Sequence, residues 1–276
     1  MVTASWDRVL EGSSSSAHFL EFARPGERRG GHGAGRFLAG ALKRCGIAVA
    51  IATPENASAI LGQLARMGVD PVDALQNKRL LLLESSEMLA RFEHDGVIDD
   101  GEFNATVGAT MRDVRNRAGE GPVRAFGDMV GLLWERGFPE RAVQLEELWN
   151  ALQRRVDFGL FCGYPIDVFG CEFSPDALEG VLGTHTHVLP TGSSAELGRA
   201  LDRAMDDVLG VDAQGVRSRI GSGAGREGAA MPKPEQIILW LRAHLPEFAQ
   251  AILERARELY DAAAPRMYLR QEHSGA

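Results

Sequence analysis

Cysteine is scarce in this chain of 276 residues, with only Cys45, Cys162 and Cys171 present. Three irregularly spaced thiols form neither a disulfide framework nor a CxxC metal knuckle. Each is therefore expected to be a small buried hydrophobe. Apolar runs are short, and none approaches the roughly 18 residues that a membrane-spanning helix needs. The opening MVTASWDR carries an acid and lacks the apolar core of a secretory signal. A cytoplasmic protein without membrane contact is the expectation. Basic residues are outnumbered, 30 Lys and Arg against 38 Asp and Glu, for a formal charge of −8. That balance lacks the electrostatic footprint of a nucleic-acid binder. Residues 232–276 balance six bases against six acids, so they cannot supply the counterion-release term that dominates nucleic-acid affinity.

What is present is ordinary for a globular protein: 45% hydrophobic and 25% charged residues. Residues 1–16 end in a serine run and read as a flexible tail. AHFLEF (17–22), IAVAIAT (47–53), KRLLLLE (78–84), VRAF (123–126) and DFGLFCGYP (157–165) read as strands. The continuous apolar runs are those of strands buried on both faces. Helical patterns lie between them, at about 36–44, from Pro54 to Gly68, around Met88–Phe92, over 102–118, and over two segments from Gly127 to Leu152. Strands separated by helices pair in parallel, because a parallel neighbour needs a crossover and a helix supplies it. The expected fold is a three-layer α/β sandwich around a mainly parallel sheet, over residues 17–192. A helix and a Gly/Ser/Arg-rich linker occupy 193–231, and a C-terminal helical segment occupies 232–276. In that last segment Leu245, Phe248, Ile252, Ala256 and Leu259 recur at spacings of three and four. The stripe needs an apolar partner, either a second chain or this chain's own α/β domain.

GGHGAGRF (30–37) has the glycine spacing of a phosphate-binding loop at Gly30 and Gly35. Arg36 stands where that loop carries lysine, and Phe37 where it carries the magnesium-binding hydroxyl. The segment reads as a mobile surface loop, with a degenerate nucleotide site at Gly30, Gly35 and Arg36 as the alternative. No cofactor is expected. Glu84 ends a strand and reads as a loop hydrogen-bonding group. His185 and His187 are two apart, so an extended segment would face both the same way, making half a metal site with Cys162 or Cys171 as further ligands. The reading preferred over this is of loop and core histidines with no metal. No nucleophile elbow or HExxH motif is present, and no catalytic residue is assigned. In open parallel sheets, ligands sit beyond the carboxyl ends of the strands. The ends here include Thr53, Glu84, Phe126 and Tyr164, an apolar cup with a few polar groups.

VRAFGDMVGLLWERGFPERAVQLEELWNALQRRVDFGLFCGYP, with its LLW…G segment, LE-LWN helix and strand ending in CxYP, resembles the MEDS domain, the methanogen/methylotroph sensory domain of the dichloromethane-dehalogenase regulator. Asp128 stands where glutamate is usual in that family. AHFLEF, FLAGALKRCGIAVAIAT and THTHVLPT are similar to its opening His-strand, helix–strand pair and closing H-x-H segment. The resemblance covers about residues 17–192. It implies a RecA/KaiC-like fold without a working P-loop. It also implies an intracellular sensor of hydrocarbon derivatives or similar small molecules, of a kind joined to histidine kinases, transcription regulators or anti-sigma modules. With no catalytic motif and an unpartnered C-terminal stripe, the expected protein is non-enzymatic and signals through such a partner or a homodimer. The expected ligand site gathers His18, Thr53, Glu84, Phe126, Cys162, Tyr164 and His185, and the alternative is a RecA-like nucleotide-binding regulator.

Overall fold

The computed structural model describes residues 6–13, 16–26, 32–222 and 230–263. After α1 (Trp6–Gly12), strands and helices alternate: β1 (His18–Phe22), α2 (Gly33–Leu42), β2 (Ile47–Ala52), α3 (Pro54–Arg66), α4 (Pro71–Gln76), β3 (Leu80–Glu84) and α5 (Ser85–Leu89). A small antiparallel hairpin of β4 (Glu93–His94) and β5 (Val97–Ile98) precedes α6 (Asp100–Phe103), a π-helical turn (Asn104–Gly108) and α7 (Ala109–Ala118). Then come β6 (Val123–Gly127), α8 (Met129–Glu135), α9 (Pro139–Gln153), β7 (Gly159–Tyr164), α10 (Pro175–Thr184) and β8 (His187–Val188). Four helices follow: α11 (Ser194–Leu209), α12 (Ala213–Ser222), α13 (Lys233–His244) and α14 (Pro246–Ala263).

The main sheet has six strands in the order β3-β2-β6-β7-β1-β8, and every neighbouring pair is parallel. The α/β sandwich expected from the alternation is the observed one. Strands β2, β6 and β7 are buried along their whole length, which is why they read as continuous apolar runs rather than alternating ones. Side chains still alternate between the faces. Phe19, Ala50, Phe126 and Phe161 join one core with Leu10 of α1, Phe37 and Leu38 of α2, and Leu64 of α3. His18, Cys162 and Tyr164, one position out of phase, point to the other face, where α9 lies.

Among the described residues, the contacts divide the chain into two compact units, within 6–166 with 180–189 and 230, and within 167–179 with 190–222 and 231–263. The second unit carries its own apolar core. Leu197, Leu201 and Met205 of α11 are buried, as are Ile238 and Leu241 of α13 and Ile252 and Ala256 of α14. Helices α11 and α14 pack directly on each other. The apolar stripe of α14 is thus largely covered by α11, while Phe248 remains 43% exposed.

Several local expectations are corrected. The N-terminal tail contains α1, which is held by Arg124 of β6, a buried guanidinium donating to the carbonyls of Leu10, Glu11 and Ser13 as well as Phe37. The glycine-rich segment read as a mobile loop is helical from Gly33 onward, and Gly33, Gly35 and Phe37 are buried. A Cβ on Gly35 would lie 2.5 Å from Cγ of Gln63, so this glycine serves the close approach of α2 to α3. Gly30 lies outside the described residues. The helix around Met88–Phe92 stops at Leu89 and gives way to the hairpin, and the linker expected within 193–231 is helical over Ala213–Ser222. Cys45 and Cys171 are exposed, and only Cys162 is buried.

Candidate functional site

Helix α9 lies over the face of the sheet that carries His18 and Cys162. Pro139 occupies its first turn, a position where proline lacks no needed donor. Ala142, Leu145, Trp149 and Leu152 form its buried stripe, and Glu146 is buried in the middle of that stripe. A carboxylate there has to find partners, because an unpaired buried charge is strongly unfavourable. Its partners come from three other segments. Tyr164 of β7 donates its hydroxyl to Glu146 Oε1 at 3.0 Å. Cys162 Sγ lies 3.4 Å from Oε2. His18 Nε2 of β1 is 3.3 Å from Oε2, and His185 Nε2, just before β8, is 3.3 Å from Oε1. His18 Nε2 also lies 3.4 Å from Cys162 Sγ, and the two imidazoles overlap with ring centroids 4.0 Å apart.

The β1–β7 register places these groups together. Leu20 pairs with Cys162 and Phe22 with Tyr164, so His18, Cys162 and Tyr164 share one face through the two-residue period of a strand. A second layer of contacts orients the rings. The Asn150 amide, one helical turn beyond Glu146, donates to the carbonyl of Thr184 at 2.8 Å. Its oxygen therefore faces His18 Nδ1, at 3.0 Å. His185 Nδ1 is 2.6 Å from the carbonyl of Val181.

Electrostatically the cluster is one coupled group. Burial would raise the Glu146 pKa, but the electrostatic pull of His185 and then of His18 outweighs it and holds the carboxylate well below its usual range. Burial, and then the neighbouring His185, push His18 down against the pull of Glu146. Burial, reinforced by Glu146, pushes the Cys162 thiol and the Tyr164 phenol well up. The group therefore holds an ionised carboxylate beside a protonated thiol and phenol.

Four residues singled out in the sequence thus meet around one acid: His18, Cys162, Tyr164 and His185. Three others lie elsewhere. Thr53 caps α3 through its side chain, accepting from Asn56 N. Glu84 caps α5, its carboxylate accepting the amides of Ser86 and Glu87. Phe126 is in the core on the opposite face of the sheet. Arg36 forms an ion pair with Glu11 at 3.3 Å. His185 and His187 do not act as a pair: the chain bends at Thr186, and the ring of His187 stacks on Phe19 at 5.0 Å. Glu146 and Asn150 were not singled out, although an acid interrupting the apolar stripe of LEELWN was a usable signal.

The profile of a known family, the MEthanogen/methylotroph, DcmR Sensory domain, matches residues 26–186, a span that includes the LE-LWN and CGYP segments that build the cluster. The chain belongs to the MEDS family. Glu146, Cys162, Tyr164 and His185 fall inside the matched span, and His18 precedes it. No curated protein matches the chain. Among solved structures, the crystal structure of the uncharacterized protein PH0321 from Pyrococcus horikoshii, in complex with an unknown peptide, is similar at 15% identity and a TM-score of 0.43, over 63% of this chain and 76% of that one. Among the described residues of this MEDS protein, no helix is long and apolar enough to cross a membrane.

Proposed function

We propose that this protein is a non-enzymatic signalling component whose MEDS domain receives a small-molecule signal at the cluster around Glu146 and relays it through protein–protein contacts. Family membership supports the sensory role. The observation that favours this cluster as the receiving site is a carboxylate, two imidazoles, a thiol and a phenol gathered out of water from four chain segments. A buried ionic group is rarely the most stabilising choice for a core, so its presence asks for another reason. Apolar residues on β1 and β7 beside a few convergent polar groups suit a compact hydrocarbon derivative with one polar end. The output runs to a kinase, a regulator or a second copy of the chain.

A thermal-shift series with short alcohols, thiols, amines, carboxylates and halides tests this reading. A ligand of the folded state raises the melting temperature with concentration. The expected result is a concentration-dependent rise for one chemical class in the wild type and a diminished rise in Tyr164→Phe. A ligand that stabilises both proteins equally would place the receiving site elsewhere.

A further inference from the structure

The outer hydrogen bonds of the cluster fix which ring nitrogen of each histidine faces its centre. The Thr184 contact fixes the amide of Asn150, so its oxygen accepts from His18 Nδ1, which carries the hydrogen. The Val181 carbonyl can only accept, so His185 Nδ1 also carries its hydrogen. With no proton on Nε2, the form a metal ion takes, each imidazole presents that lone pair to the centre. Only the Cys162 thiol and the Tyr164 hydroxyl bring hydrogens there, and the Glu146 carboxylate competes for both. His185 Nε2, on a side chain with no exposed surface, lies 3.3 Å from Glu146 Oε1 but without hydrogen-bond alignment.

From these contacts we infer that His18, Glu146, Cys162 and His185 form a binding site for a divalent, borderline-soft metal ion, zinc foremost. One ligand atom from each of the four residues lies within 4.8 Å of the others. The three separations among His18 Nε2, Cys162 Sγ and Glu146 Oε2 are 3.3–3.4 Å, and His185 Nε2 lies 3.3 Å from the other carboxylate oxygen, Oε1. Tetrahedral zinc with bonds of about 2.0–2.3 Å needs donors roughly 3.3–3.7 Å apart. Imidazole, thiolate and carboxylate donors suit zinc and its neighbours, whereas magnesium and calcium ask for oxygen alone. Outer contacts that fix the tautomer of ligating histidines are the usual accompaniment of such sites, and Asn150 and the Val181 carbonyl supply them. On binding, the Cys162 S–H bond breaks, its proton leaves to solvent and the thiolate sulfur bonds the metal. The inference rests on the same cluster as the sensor reading and deepens it, since the polar end of a ligand would meet the ion by adding a fifth donor or by displacing the Glu146 carboxylate.

The test uses the full chain, stripped with chelator and reloaded with zinc or cobalt, without organic ligand. Elemental analysis is expected to find one zinc per chain, and cobalt to give a thiolate charge-transfer band. Because Cys45 and Cys171 are exposed, the C45S/C171S double variant is expected to keep both the fold and the band, and Cys162→Ser to lose the band. Asn150→Ala, which spares all four donors, is expected to lower zinc affinity about 10- to 100-fold. Folded wild type that takes up no stoichiometric zinc, cobalt or iron(II) overturns the site, as does a band that disappears in C45S/C171S. Metal uptake without any response to organic ligands would count against the sensor reading alone. A response to organic ligands in metal-free protein that takes up no metal would count against the metal alone.

Discussion

At the scale of the residue, Glu146 organises its surroundings. Its ionised form satisfies Tyr164 and faces both histidines, so truncation leaves polar groups from three other segments stranded in the core. Removing one partner of a buried charged group typically costs about 3–5 kcal/mol. Glu146→Ala is expected to lose stability of that order in urea unfolding of chelated protein. A loss below about 1 kcal/mol would mean that the imidazoles and phenol find new partners without it. The sequence marks Glu146 only by its place inside the apolar stripe of LEELWN, because a glutamate in an amphipathic helix normally faces water. Only the seating of α9 on the sheet shows that this one does not.

At the scale of the element, α13 carries a second buried acid with a different balance. Glu235 is in the first turn of α13, where the helix dipole favours a negative charge. Its Oε1 accepts the Thr191 amide at 2.7 Å, and its Oε2 has no partner. Burial dominates, against the backbone bonds, and pushes its pKa up from 4.5 to about 7. The folded protein therefore holds this proton longer than the unfolded chain, and stability contributed here falls as pH rises from about 4.5 to about 7. The span corresponds to roughly 3 kcal/mol. Glu235→Gln is expected to flatten that part of the pH profile and to be the more stable protein at pH 8. Denaturant melts at several pH values would show it, and parallel profiles for both proteins would sink the idea.

At the scale of the whole molecule, each unit makes its own prediction. In the α/β unit, Phe37 stands where a phosphate loop needs its hydroxyl, and it is fully buried among core side chains. No magnesium-dependent ATP turnover is expected, and steady hydrolysis abolished by Gly35→Leu would revive the nucleotide alternative. In the helical unit, α11 buries the apolar face of α14. A chain ending near Arg217 would expose Leu197, Leu201 and Met205, so light scattering should find aggregation, and a soluble, folded monomer would contradict it.

The sequence by itself determined the α/β class, because helix and strand periods, proline starts and glycine stops are local properties of consecutive residues. The three α11, α13 and α14 segments were legible for the same reason, as were His18, Cys162, Tyr164 and His185 as residues of interest. The tertiary structure alone decided which of these meet. Strand order set β1 beside β7, and the register aligned His18 with Cys162 and Tyr164 on one face. A bend at Thr186 separated His185 from His187. Thr53 and Glu84 left the candidate site because their side chains cap α3 and α5, and Phe126 left it because the strand alternation turns it to the opposite core. Which face a side chain takes, and what lies across from it, depends on residues more than a hundred positions away, such as Asn150 opposite His18, and no local pattern encodes that distance.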